Sequence, residues 1–148
     1  MRLEDEIKTR QFRNQRQKLL LNILYTQGWL MSRQLEVLQR HEITSQQYNI
    51  LRILRGQHPQ PCNVALLKER MLDKQSDVSR LVDRLVKKGL IERTVSPHDR
   101  RNLNILISES GLELLSVMQP EVDASTDNLG ISEEDAKTVN DLLDAMRG

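Results

Sequence analysis

The sequence predicts a mostly α-helical fold with one small β-hairpin. Apolar residues recur at three- and four-residue spacing along most of the chain, the pattern of amphipathic helices. That spacing gives way to alternation only between Leu90 and Ser108, on either side of the turn-forming run Asp99-Arg100-Arg101-Asn102. With 148 residues, 38% hydrophobic and 29% charged, the chain has the length and balance of one domain spanning residues 1–148 with a real core.

Residues 4–18 are polar, with only Ile7 and Phe12 to bury, and either extend the next helix or form an arm. Leu20, Ile23, Leu24, Leu30, Met31, Leu35 and Leu38 mark the first long helix; Gly28 interrupts it and is where a kink would fall. Thr44 suits the cap of a second helix that turns Tyr48, Ile50, Leu51, Ile53 and Leu54 inward. His58-Pro59-Gln60-Pro61 ends it, because proline cannot continue a helix and constrains the residue before it. Asn63 caps a short helix carrying Val64, Leu66, Leu67 and Met71, and Asp73 or Gln75 opens the next, which stops at Gly89.

Leu90–Ser96 and Leu103–Ser108 suit strands, the second with Leu103, Ile105 and Ile107 on one face. Ser108 caps a helix bearing Leu112, Leu115 and Met118, which Pro120 is expected to bend or restart. Ser132, with Asp135 as its capping-box partner, begins a last helix striped by Val139, Leu142, Leu143 and Met146.

The net charge of +1 conceals an asymmetry: residues 1–67 carry a net +5, residues 68–104 a net +4 and residues 105–148 a net −8. No stretch approaches the roughly 18 apolar residues of a membrane span, and Met1-Arg2-Leu3-Glu4-Asp5-Glu6 is too polar for a secretory signal. A lone cysteine, Cys62, cannot form an internal disulfide, so a cytoplasmic setting is expected. There is no glycine-rich phosphate loop, no metal-ligand spacing and no nucleophile set beside a base. These absences argue against an enzyme and against a cofactor or metal.

The helix from Gln75 to Lys88 is the informative one. Val78, Leu81, Val82 and Leu85 lie on one side, while Ser76, Ser79, Arg80, Asp83, Arg84 and Lys87 lie on or near the other. Joined to the preceding short helix through Leu72-Asp73-Lys74, it completes a helix-turn-helix, whose second helix characteristically enters a DNA major groove. Short Ser76 and Ser79 permit close approach, Arg80 reaches guanine or phosphate, and Lys74 and Lys87 suit phosphates. Consecutive Arg100 and Arg101 at a hairpin tip have no core role, but an arginine gains in a narrow minor groove, and Asp99 would orient it. Taken singly, the helix is equally a solvated amphipathic surface and the tip a local ion pair; together they favour double-stranded DNA.

The runs Asp77-Val78-Ser79-Arg80-Leu81-Val82-Asp83-Arg84-Leu85, Gly89-Leu90-Ile91-Glu92-Arg93 and Asp99-Arg100-Arg101-Asn102 resemble the multiple-antibiotic-resistance regulator (MarR) family of bacterial transcription factors. Ile43-Thr44-Ser45-Gln46-Gln47-Tyr48, Ser108-Glu109-Ser110-Gly111 and Gly130-Ile131-Ser132-Glu133-Glu134 resemble the same family's helix starts, over roughly residues 18–147. The resemblance implies a winged helix-turn-helix over residues 44–108, with residues 5–40 and 109–147 as dimerisation helices. It implies a homodimer binding a pseudo-palindromic operator, usually as a repressor. Lys74, Gln75, Ser76, Ser79, Arg80, Arg84 and Lys87 would then face DNA from the helix, and Asp99, Arg100 and Arg101 from the wing. Arg101 matches the family's minor-groove arginine and Asp99 its orienting partner.

The family's oxidant sensors carry a cysteine in the first helix, and this chain has none there. His41, His58 and His98 are too scattered for a metal. Other members bind small aromatic acids between dimer helices and winged domain, where Trp29, Tyr25 and Tyr48 could line a cleft or simply fill a core. A winged-helix module that binds protein instead of DNA is the competing function.

Overall fold

The computed structural model describes residues 1–148. The chain runs α1 (Leu3–Glu6), α2 (Gln15–Arg40), α3 (Ser45–Gln57), α4 (Val64–Arg70), α5 (Val78–Lys87), β1 (Ile91–Val95), β2 (Leu103–Ile107), α6 (Glu109–Asp127) and α7 (Glu133–Arg147). This is the mostly helical fold with a hairpin wing that the sequence predicts.

Side-chain oxygens set the helix starts, because the first turn of a helix leaves its N–H groups without partners. Asn14, Thr44, Asn63, Asp77, Ser108 and Ser132 each accept from a backbone N–H three residues on. Thr44 makes the full capping box with Gln47. At the end of α5, Gly89 takes a left-handed φ of 71°, letting its N–H reach Val86 O at 2.9 Å and the Leu90 N–H reach Leu85 O at 3.1 Å.

Several sequence expectations are corrected. Residues 1–14 form the short α1 and a connection, and α2 runs unbroken through Gly28. The helix expected from Asp73 or Gln75 begins only at Val78, because Asp77 is its cap; Asp73 closes the preceding turn, accepting from Gln75 N at 2.9 Å. Pro120 neither ends nor restarts α6, which continues to Asp127. Proline there removes one bond to the Ser116 carbonyl, and both residues are exposed, so water can satisfy that oxygen.

One core of 17 buried residues joins α3, α4, α5, the hairpin and α6. Ile50, Leu51, Leu67, Val78, Leu85, Ile105 and Leu115 sit at its centre, each inaccessible to solvent. The strands pair antiparallel with Ile91 opposite Ile107 and Arg93 opposite Ile105. Cys62 adds a two-bond bridge to the free edge of β2, Cys62 N to Ile105 O at 2.9 Å and Ile105 N to Cys62 O at 2.7 Å. The ends of the chain differ: α7 buries no residue, and α2 buries only Val37 and Leu38. No helix is long and apolar enough to cross a membrane.

Candidate nucleic-acid interface

Burial of Val78, Val82 and Leu85 against the core fixes which way α5 faces, and leaves Ser79, Arg80, Asp83, Arg84 and Lys87 exposed along its outer side. Arg80, Arg84 and Lys87 take part in none of the ion pairs of the fold. The turn Met71–Asp77 carries Lys74 and Gln75, both exposed, with the Lys74 ammonium donating to the Glu69 carbonyl. Ahead of α5 lies a polar concavity of about 270 Å³, walled by Gln46, Asp73, Gln75, Arg80 and Arg84 among others.

Ser76 departs from its expected role. It precedes α5, and its hydroxyl is buried without a hydrogen-bond partner, so it does not present Oγ along the outer face as Ser79 can.

At the hairpin tip, Ser96 N donates to Asn102 O at 2.9 Å and Asn102 N to Asp99 O at 3.0 Å. The Asp99 carboxylate accepts from the backbone N–H of Arg101 at 2.9 Å and from the Asn102 amide at 3.3 Å. Asp99 therefore shapes the turn; it makes no ion pair with either arginine, contrary to the expected carboxylate–guanidinium bond. Arg100 and Arg101 are exposed. The wing is tied to α5 by a pair that sequence reading missed, Arg93 of β1 donating to the Asp83 carboxylate. The two residues stand on different elements, and only the closed hairpin brings them together.

Residues 41–102 match the MarR family. The chain is also 27% identical to the HTH-type transcriptional regulator MhqR of Bacillus subtilis, over 72% of this chain and 73% of that protein. Across residues 41–102, the chain resembles the MarR family. A MarR transcription factor from Planctomyces limnophilus has the same fold, with a TM-score of 0.70 and 29% identity over 93% of this chain and 98% of that one. MepR of S. aureus, solved as a DNA complex, superposes with a TM-score of 0.74 at 22% identity over 87% of this chain and 94% of that one. MhqR is a transcriptional regulator, the Planctomyces limnophilus protein a transcription factor, and MepR is seen bound to DNA.

Two further features of the chain lie outside α5 and the wing. A cavity of about 730 Å³ opens between α2, α3, the α4–α5 turn and α6, with Met31, Leu38, Tyr48, Arg52, Met71 and Val122 in its walls. The Tyr48 hydroxyl is buried with no partner. Of the three aromatics expected at such a cleft, only Tyr48 is there: Trp29 stacks on the Arg33 guanidinium at 4.8 Å, and Tyr25 donates to Glu6 at 2.6 Å. The second feature is apolar exposure, with Leu20, Leu24 and Leu35 on α2 and Val139, Leu142 and Met146 on α7 all facing solvent.

Proposed function

We propose that this protein is a cytoplasmic, homodimeric repressor that binds a pseudo-palindromic operator and is released by a small molecule. The observation that carries the reading is a pair of cationic elements braced against each other. Arg80, Arg84 and Lys87 on α5 and Arg100 and Arg101 on the wing are exposed, and Asp83–Arg93 fixes one element to the other. Lys74, Gln75, Ser79 and Arg80 face the major groove near the start of α5, and Arg84 and Lys87 meet phosphates. Arg101, presented by the Asp99 turn, enters the minor groove, with Arg100 on the backbone.

Dimerisation follows from the exposed leucines of α2 and α7. Large apolar side chains spread along two terminal helices are costly in water and cheap against a second copy. A two-fold pair also supplies two reading heads, as a palindrome requires. The cavity beside Tyr48 and Arg52 suits an amphipathic effector, since it combines apolar walls with a cation.

Titrating salt against operator binding tests the DNA reading. The log of affinity is expected to fall linearly with the log of salt concentration, and Arg101→Ala to weaken binding by roughly 1–3 kcal/mol with thermal stability unchanged. No salt-sensitive binding to any duplex would favour a protein-binding module instead.

A further inference from the structure

The cavity and the DNA-facing concavity share a wall. Gln46 and Asp73 line both. The segment Met71–Asp77 runs between them, contributing Met71, Leu72 and Asp73 to the cavity and Asp73, Gln75, Ser76 and Asp77 to the concavity. Its backbone is sparsely held. Met71 N closes α4 on Leu67 O at 3.0 Å, and the N–H groups of Gln75 and Ser76 turn back onto Asp73 at 2.9 and 3.2 Å. Apart from its junctions with α4 and α5, where Leu81 N donates to Asp77 O at 3.1 Å, one hydrogen bond ties the segment's backbone to the rest of the fold: Leu72 N donates to Asn49 Oδ1 of α3 at 2.9 Å.

Asn49 itself lines the cavity, so a guest there meets the acceptor that holds the turn. The Leu72 side chain, also in the cavity wall, is 88% exposed and gains by folding over an apolar guest. We propose that Asn49 is a positioning residue: its bond to Leu72 N sets the N-terminal turn of α5, and filling the cavity releases that bond and misaligns Gln75 and Arg80. The proposal rests on the DNA reading above and deepens it by naming the contact through which the cavity reaches the DNA-facing surface. A guest shifts such an equilibrium only through its different affinity for the held and released turns.

The experiment fills the cavity without the natural effector. Thr126 lines it from α6, so Thr126→Cys modified with benzyl methanethiosulfonate places a benzyl group inside, while Cys62 is buried and stays unmodified. Two readouts follow: amide hydrogen exchange at Leu72, which needs no DNA, and affinity for a duplex selected by the unmodified protein. Benzyl loading is expected to speed Leu72 exchange and weaken DNA binding by about tenfold each, the scale of one hydrogen bond, and methyl loading to do much less. Asn49→Ala is expected to show both changes before loading and little more after it. Asn49→Asp, which keeps the acceptor, is expected to respond as the parent does, and keeps the test decisive should the alanine variant not fold. Benzyl loading that weakens DNA binding with Leu72 still protected would overturn the proposal. So would an equal loss on loading Asn49→Ala. If no duplex is bound at all, the DNA reading fails, and Leu72 exchange alone still decides whether cavity filling releases the turn.

Discussion

Asp83 on α5 and Arg93 on β1 form an ion pair across the junction of helix and hairpin. Their side chains are 55% and 35% exposed, so the pair adds little to folding, about 0.2–1 kcal/mol. Its consequence is geometric. Reading two grooves at once requires a fixed offset between α5 and the wing, and this bond spans the two.

Breaking the pair is therefore expected to cost specificity more than stability. Arg93→Met should weaken operator binding several-fold while leaving the urea midpoint nearly unchanged. Asp83→Asn removes a negative charge beside the DNA and should raise affinity for scrambled duplex, lowering the ratio of specific to non-specific binding. Fluorescence anisotropy with both duplexes measures that ratio, and the double variant should lose no more specificity than the worse single one.

Gly111 is set where the first turn of α6 meets the end of the α5 segment. A Cβ there would lie 2.3 Å from the Leu90 carbonyl oxygen and 2.7 Å from Ile107 Cγ1. The approach is held by Ser108, whose hydroxyl donates to Gly89 O at 2.6 Å and accepts from Gly111 N at 3.1 Å. Gly111→Ala is expected to destabilise the protein by about 1–3 kcal/mol through overpacking. Gly28, an exposed position inside α2 with nothing near its would-be Cβ, should gain about 0.5–1 kcal/mol from the same change. Urea denaturation of the two variants gives opposite signs.

The N-terminal arm is held to α2 by two titratable pairs. Hydrogen bonding to the Lys18 ammonium holds the Glu4 carboxyl below its ordinary range, and the Tyr25 hydroxyl, donating to Glu6, is pushed above the usual tyrosine value. The signs are opposite. The Glu4 contribution is present above the ordinary carboxylate pKa and fades as pH falls through the lowered value; the Tyr25 contribution is present below the ordinary tyrosine pKa and fades as pH rises through the raised one. Methyl resonances of Leu3, which is buried, should move toward exposed values at both pH extremes, the acid change preceding loss of the core signals.

The solvent-facing leucines of the terminal helices give the assembly its own test. Leu142→Asp places a charge in the stripe of α7, where the side chain is 66% exposed in a single chain. Sedimentation at micromolar concentration is expected to show a dimer for the parent and a monomer for the variant. Because Leu142 packs into no core, the circular dichroism of the winged domain should persist.

Local rules made much of this fold legible. Thr44, Asn63, Ser108 and Ser132 were readable as caps because each needs only its own oxygen and an N–H three residues on, and Gly89 because a left-handed stop favours glycine. The start of α5 was not. Asp73 and Asp77 are both good caps four residues apart, and the choice turns on the burial of Val78 and the tether of Leu72 to Asn49, contacts that no local pattern contains. That α6 continues past Pro120 without restarting was not legible for a related reason, since its exposure makes the missing bond tolerable. In the candidate site, the cations of α5 and the wing tip were visible as residues on faces. The Asp83–Arg93 brace, the inward Ser76 hydroxyl and the grip of Asp99 on a backbone N–H all depend on tertiary placement.

The central claim is that two copies of α5 and its wing read one DNA site together. Selecting bound sequences from a random duplex pool with the full-length protein tests it most directly. The account requires enrichment of a pseudo-palindrome whose half-sites lie about one helical turn apart, with A·T-rich flanks where Arg101 enters the minor groove. Enrichment of a single asymmetric half-site, or of no sequence at all, would contradict it.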